Sequence, residues 1–111
     1  MKTEIAQLLH ILGHGYGGHG QTKRAIVLLI LATWLVPEDA RVLRTLAYTF
    51  LLDGEPEKAL SVIDKLTAIE GDDHPALSLL RSRALKAAGR DDEAEAAFSQ
   101  YIERRNKLSL Q

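Results

Sequence analysis

The chain has 111 residues, of which 46% are hydrophobic and 26% charged, with a formal net charge of −1. That length admits one modest core and excludes two, and 14 Lys and Arg against 15 Asp and Glu leave no basic excess to track phosphates, so nucleic acid is not an expected partner. The absence of Cys excludes disulfides, thiolate metal sites and cysteine nucleophiles together, and fits a reducing cytosol.

Apolar residues recur at three- and four-residue spacing, and almost no window alternates with period two, so the chain reads as all-α. The predicted helices span 3–17, 22–35, 39–53, 56–69, 75–88 and 91–106, separated by short Gly and Pro punctuation that makes neighbours pack antiparallel. The first helix ends in the glycine-rich run from Gly13 to Gly20. Each glycine costs up to ~1 kcal/mol relative to Ala inside a helix, so this end is expected to be marginal alone and to be ordered by a partner. The second helix is apolar on every side. Its predicted buried stripe is Ala25, Ile26, Leu29 and Ala32, which leaves Val27, Leu28, Ile30, Leu31 and Trp34 outward, a pattern that marks an interface. Its apolar stretch, Ala25 to Val36, is 12 residues long. That is short of the ~20 needed to span a bilayer, and it lacks the flanks of a secretory signal.

Pro37 closes the first helix pair. Asp53-Gly54-Glu55-Pro56 is a turn in which Pro56 can open the fourth helix, and Gly71-Asp72-Asp73-His74-Pro75 repeats that logic before the fifth. Asp91, after Gly89-Arg90, is the expected N-cap of the sixth.

Three times a Gly is followed five residues later by an Ala within an apolar run: Gly20 to Ala25, Gly54 to Ala59 and Gly89 to Ala94. The spacings of 34 and 35 residues are the period of a two-helix repeat whose unit cannot bury its own apolar face and must stack on neighbours. The repeats resemble the tetratricopeptide (TPR) pattern. Repeat one carries Leu12, Gly13, Tyr16, Gly20, Ala25, Leu29, Ala32 and Pro37, and repeat two Leu46, Ala47, Phe50, Gly54, Ala59, Ile63 and Leu66. Repeat three keeps Leu85, Gly89, Ala94, Phe98 and Tyr101 but lacks the closing Pro and, at Arg81 and Ser82, the Leu-small pair. The expected architecture is a single domain, an α-solenoid of three TPR-like helix-turn-helix repeats over residues 6–39, 40–74 and 75–108.

A narrower resemblance rests on the spacing of Gly20, Arg24-Ala25, Leu28-Leu29, Leu35, Pro37-Glu38, Arg44, Leu51 and Ala59. It is similar to the YscY-type chaperones of bacterial type III secretion. The resemblance implies a chaperone in the bacterial cytoplasm that holds a small secreted YscX-like partner in its groove before export and meets the export gate through that complex; the outward apolar residues of the second helix separately allow a homodimer when the chain is free. Related chaperones of needle subunits or translocators, and a TPR scaffold or adaptor for protein assembly, are the alternatives.

In a TPR the first helix of each repeat lines the groove. Carried over position by position, repeat one offers His10 and His14, with Gln7 at the edge; repeat two offers Arg41, Arg44, Tyr48, Leu51 and Leu52; and repeat three offers Leu79, Arg83 and Lys86. A part-apolar, part-basic groove suits an amphipathic helix or extended peptide with Leu or Ile anchors and carboxylates. Of Leu51 and Leu52, one is as readily a core residue.

No enzyme is expected. Gly13, Gly15 and Gly18 match G-x-G-x-x-G but end a helix where a dinucleotide site must open one. His10 and His14 lie at i and i+4 without the intervening Glu of a metalloprotease helix, and no third ligand is evident beyond His19. Gly71 to His74 lacks the ligand series of a calcium loop, and no nucleophile elbow or phosphate loop occurs. No cofactor and no metal are expected.

Overall fold

Six α-helices make up the computed structural model, which describes residues 1–71 and 74–110: α1 (Lys2–Gly18), α2 (Thr22–Leu35), α3 (Ala40–Leu52), α4 (Pro56–Glu70), α5 (Pro75–Ala87) and α6 (Asp91–Leu110). No strand occurs among the described residues. The predicted boundaries agree closely, except that α6 runs on to Leu110. Asp72 and Asp73 of the predicted acidic turn lie outside the described residues.

The repeat glycines end the first helix of each pair in one way. After α3, Glu55 N–H donates to Phe50 O at 2.9 Å and Gly54 N–H to Leu51 O at 3.1 Å, the reciprocal bonding of a Schellman turn. Gly54 sits there at φ 75°, in the left-handed region that glycine enters without cost. The same bonds close α1 through Gln21 and Gly20, and α5 through Arg90 and Gly89. The residue after each glycine then starts the next helix: Ala25, Ala59 and Ala94 donate their N–H to the carbonyls of Gln21, Glu55 and Arg90. Arg90 therefore caps α6, and Asp91, the expected cap, is its first helical residue. Its carboxylate lies in the first turn, where the helix dipole favours negative charge. Pro56 and Pro75 open α4 and α5, and the Asp39 carboxylate caps α3 by accepting from Arg41 N–H at 3.0 Å and Val42 N–H at 3.4 Å.

Helices pair as α1 with α2, α3 with α4 and α5 with α6, and the pairs stack through α2 on α3 and α4 on α5, giving an all-α helical-repeat solenoid. One core runs through all three pairs, with Leu29, Val42, Leu43, Ile63 and Leu66 fully enclosed. Ala25, Ile26, Leu29 and Ala32 are the buried stripe of α2. Between the first and second repeats, Thr22 Oγ1 donates to Asp53 Oδ1 at 2.7 Å and Lys23 reaches Oδ2 at 3.3 Å. The Thr22 hydroxyl is the main cause holding the Asp53 carboxyl below its ordinary range.

The glycines of α1 have a packing role that propensity alone does not disclose. The helix continues through Gly18, and Gly13 is buried against α2. A Cβ at Gly13 would come within 2.8 Å of Leu29 Cγ and 3.4 Å of the Ala25 carbonyl. Gly13→Ala is therefore expected to force α1 off α2 and to destabilise by ~1–2 kcal/mol, despite Ala's better helix propensity. A Cβ at Gly15 would meet nothing within 4 Å beyond its own turn of helix, so Gly15→Ala is expected to stabilise by ~0.5–1 kcal/mol. Urea denaturation of both variants, monitored by helical circular dichroism, checks the opposite signs.

Candidate peptide-binding groove

The first helices of the three repeats stand side by side, α1 beside α3 and α3 beside α5. On α3 the positions 41, 44, 45 and 48 follow the three- and four-residue spacing of one helix face, and on α5 so do 76, 79, 80 and 83. With His10 and His14 of α1 these two stripes line an open cavity of about 420 Å³. A second cavity of about 400 Å³ continues from His14 and Tyr48 past Thr45 and Thr49 to Leu52.

The structure brings together His10, His14, Arg41, Arg44, Tyr48, Leu79 and Arg83 of the predicted groove in one cavity and places Leu52 in the adjoining one. Two predicted members are not there. Leu51 packs half-buried against the core, because it lies on the α3 side that carries Ala47. Lys86 is exposed and turned to Asp91 at 3.3 Å, tying α5 to the start of α6 instead. Gln7 is exposed and lines neither cavity. Thr45, Ala76 and Leu80 belong to the lining without having been singled out, and continuing the helical spacing from Arg41 and Leu79 reaches all three.

The groove is basic because its cations outnumber anything that neutralises them. Among the described residues no carboxylate lines the larger cavity. Arg44 is held by Glu70 at 2.6 Å, which spends its charge inside the protein and fixes its guanidinium against α4. Arg41 has only a long 3.7 Å approach to Asp39, and Arg83 has no ion-pair partner among the described residues. Tyr48, 48% exposed, and Leu79 supply the apolar floor.

At the groove's edge His10 Nε2 lies 2.7 Å from Thr45 Oγ1, and that hydroxyl is 3.1 Å from the Arg41 carbonyl. Since the carbonyl can only accept, Thr45 donates to it and accepts from His10, which sets the imidazole proton on Nε2. Burial lowers the His10 pKa, with Arg41 and His14 adding to the effect and Asp39 opposing it. His10 is thus a neutral donor at neutral pH. His10 and His14 do not belong to any group of three or more His, Asp or Glu side chains able to hold a metal, and no such group occurs among the described residues.

The five residues of the second predicted surface divide. Val27, Ile30, Leu31 and Trp34 are exposed, Trp34 at 82%, whereas Leu28 is half-buried on the flank of α2. No helix among the described residues is long and apolar enough to cross a membrane.

No family model matches the chain, and no curated protein matches it. Among solved structures it is similar to MamA, seen in a crystal structure, with a TM-score of 0.84 and 24% sequence identity over 96% of this chain. The chain spans 61% of the length of MamA. MamA is TPR-like, and the likeness shows that the fold of this chain is TPR-like as well.

His10 is expected to titrate below the ordinary 6.5 in a proton-detected histidine NMR titration. Because the folded state resists the proton more than the unfolded chain does, this group's contribution to stability is complete above the unfolded value and is lost as pH falls from there through the lower folded value. His10→Gln, which keeps a donor for Thr45, should flatten that part of the stability-against-pH curve.

Proposed function

We propose that this chain is a non-catalytic polypeptide-binding scaffold that holds an amphipathic segment with aliphatic anchors and carboxylates in the groove of α1, α3 and α5. The observation that carries this reading is the pairing of an apolar floor at Tyr48 and Leu79 with Arg41 and Arg83, with no lining carboxylate among the described residues. Aliphatic burial would supply most of the binding energy, at ~25 cal/mol per Å² before ordering costs, and the arginine forks would fix direction and register. The TPR-like fold supports the reading, since stacked helix pairs present an extended concave surface for this use.

The test uses fluorescence anisotropy with a labelled helical peptide bearing Leu at i, i+3 and i+7 and Glu on the flanks, beside a copy in which Lys replaces each Glu. The acidic peptide should bind. Arg83→Glu or Arg41→Glu should weaken it by about tenfold, and added salt should narrow that gap. Arg44 is unsuitable for charge reversal because Glu70 would then face a second carboxylate. Equal binding of both peptides would remove the electrostatic half of the reading, and binding of neither would remove the groove itself.

A narrower role favoured by the exposed apolar residues of α2 is that of a secretion chaperone, the function implied by the YscY-type resemblance: a small YscX-like substrate, or a needle or translocator subunit, would be kept soluble in the bacterial cytoplasm until export. Such a chain should convert an insoluble product of a neighbouring gene into a soluble heteromer on co-expression. A scaffold's partners would be folded without it.

A further inference from the structure

The junction between the second and third repeats is built differently from the one before it. Where the first and second repeats meet, α3 supplies Val42, Leu43 and Leu46, all buried in the core, and α4 adds Ile69 beside them. The same positions recur 35 residues later as Leu77, Ser78 and Arg81 of α5 and Arg104 of α6, so three apolar side chains have become polar ones. There the structure holds a cavity of about 230 Å³, lined by Thr67, Leu77, Ser78, Arg81, Gln100 and Arg104. It lies behind the groove, since positions 77, 78 and 81 are about half a turn around α5 from 76, 79, 80 and 83.

Guanidinium groups from two helices line this one small space. Arg81 donates from Nη1 to Asp64 Oδ1 at 2.9 Å and from Nη2 to Thr67 Oγ1 at 2.7 Å, which fixes its plane against α4 and leaves further N–H groups free to donate. Asp64 is exposed and stands outside the lining, so solvent screens its hold on Arg81. Half-buried Arg104 donates to Ser78 Oγ and has no carboxylate within ion-pair distance among the described residues. Ser78 is only 4% exposed. Its hydroxyl accepts from Arg104, and the proton it keeps has no acceptor among the described residues. Exposed Gln100 adds an amide at the mouth, and no carboxylate lines the cavity among the described residues. Two cations facing one space and a buried hydroxyl proton without an acceptor are both unfavourable until a group with negative charge and lone pairs enters.

We propose that this cavity is an anion site for one free oxyanion of the phosphate class, held between Arg81 and Arg104 with the Ser78 hydroxyl and the Gln100 amide as further donors. The donor set selects the ligand. Donors converging from α5 and α6 offer more hydrogen bonds than one planar carboxylate uses, whereas a tetrahedral oxyanion presents an oxygen to each. The size agrees: the space admits a small ion with a few waters of ~30 Å³ each, and excludes a helix ~10 Å across. A bound ion ties α5 to α6, and because α5 also carries Leu79 and Arg83 it braces one wall of the groove from behind.

Titration of the whole chain with inorganic phosphate at neutral pH, followed by proton–nitrogen NMR beside sodium chloride of equal ionic strength, tests the proposal. The Gln100 amide and the Arg81 and Arg104 Nε–H signals should shift saturably, with half-saturation at or below about 1 mM, and the midpoint of thermal unfolding should rise in step. That concentration is too low for the general salting effect of phosphate, and acetate should give no saturable shift. Arg104→Gln should raise the half-saturation point at least about tenfold. The pair Ser78→Leu with Arg81→Leu, which restores the residue types of Leu43 and Leu46, should keep the helical circular dichroism and abolish the shifts. Arg83→Gln, in the groove, should leave them unchanged. No saturable shift up to about 10 mM phosphate, shifts that chloride or acetate reproduces, or binding that survives Arg104→Gln would overturn the proposal.

Discussion

The structure depends on a close approach within each helix pair, made at one position per repeat. Gly13 in α1, Ala47 in α3 and Ser82 in α5 stand 34 and 35 residues apart and face the start of the helix that follows. At the first, the space a Cβ would fill ends 3.4 Å from the Ala25 carbonyl; at the third, Ser82 Oγ donates to the Ala94 carbonyl at 3.1 Å. Each site admits hydrogen, a methyl or a hydroxyl that the opposing backbone can bond, and nothing larger. The opposing residue is in every case the repeat alanine, with Ala25 and Ala59 wholly buried and Ala94 nearly so. Backbone on backbone at this seam brings Leu29 and Ile63 into the core between the pairs.

The seam also decides what the rest of each first helix can do. Once one side of α3 is committed to α4 through Ala47, its neighbours at 41, 44, 45 and 48 are left on a side that only the flanking first helices approach. A groove results without any residue selected to hollow it, since three helices held back against their partners leave a shared concave side. Its chemistry is then a matter of which cations are already used. Arg44 and Arg81 resemble one another as sequence, yet Arg44 closes on Glu70, Arg81 on Asp64 and Thr67, and Arg83 on neither. Among the described residues of the groove the least neutralised charge therefore lies at Arg83 and Arg41, which is the physical ground for an anionic occupant.

Most of the backbone was legible in the sequence because its signals are local. A glycine in the left-handed region, a proline at a first helical position and an alanine five residues after the glycine each act within one turn, and each recurs with the repeat period. Side-chain allegiance was less legible. The pairing of Arg44 spans 26 residues and that of Thr22 with Asp53 spans 31, distances over which periodicity says nothing of which charge meets which. Leu51 and Leu52 are adjacent and equally apolar, and only the rotation of α3 against its neighbours sends the first to the core and the second toward the groove. The third repeat looked as if it lacked its small residue, because Arg81 occupies the place of the usual Leu. Ser82 nevertheless fills the small position, and the hydroxyl that makes it look polar is bonded inside the seam.

The first repeat shows most sharply how one helix can be asked for three different surfaces. α1 meets α2 through Gly13, the groove through His10 and His14, and solvent through Ile5, Leu8 and Leu12. Gly15 and Gly18 have no neighbour that requires them, so at these positions the helix gives up propensity without a packing return. Its placement therefore relies on tertiary contacts more than that of α3, whose N-terminus is capped by Asp39 and whose core side is buried along its whole length. Among those contacts are the Gly13 seam with Leu29 and the His10 bond to Thr45, one on each of two neighbouring helices. The position of the groove's histidine edge is consequently set by the same packing that fixes the apolar outer face, and neither surface can shift without moving the other.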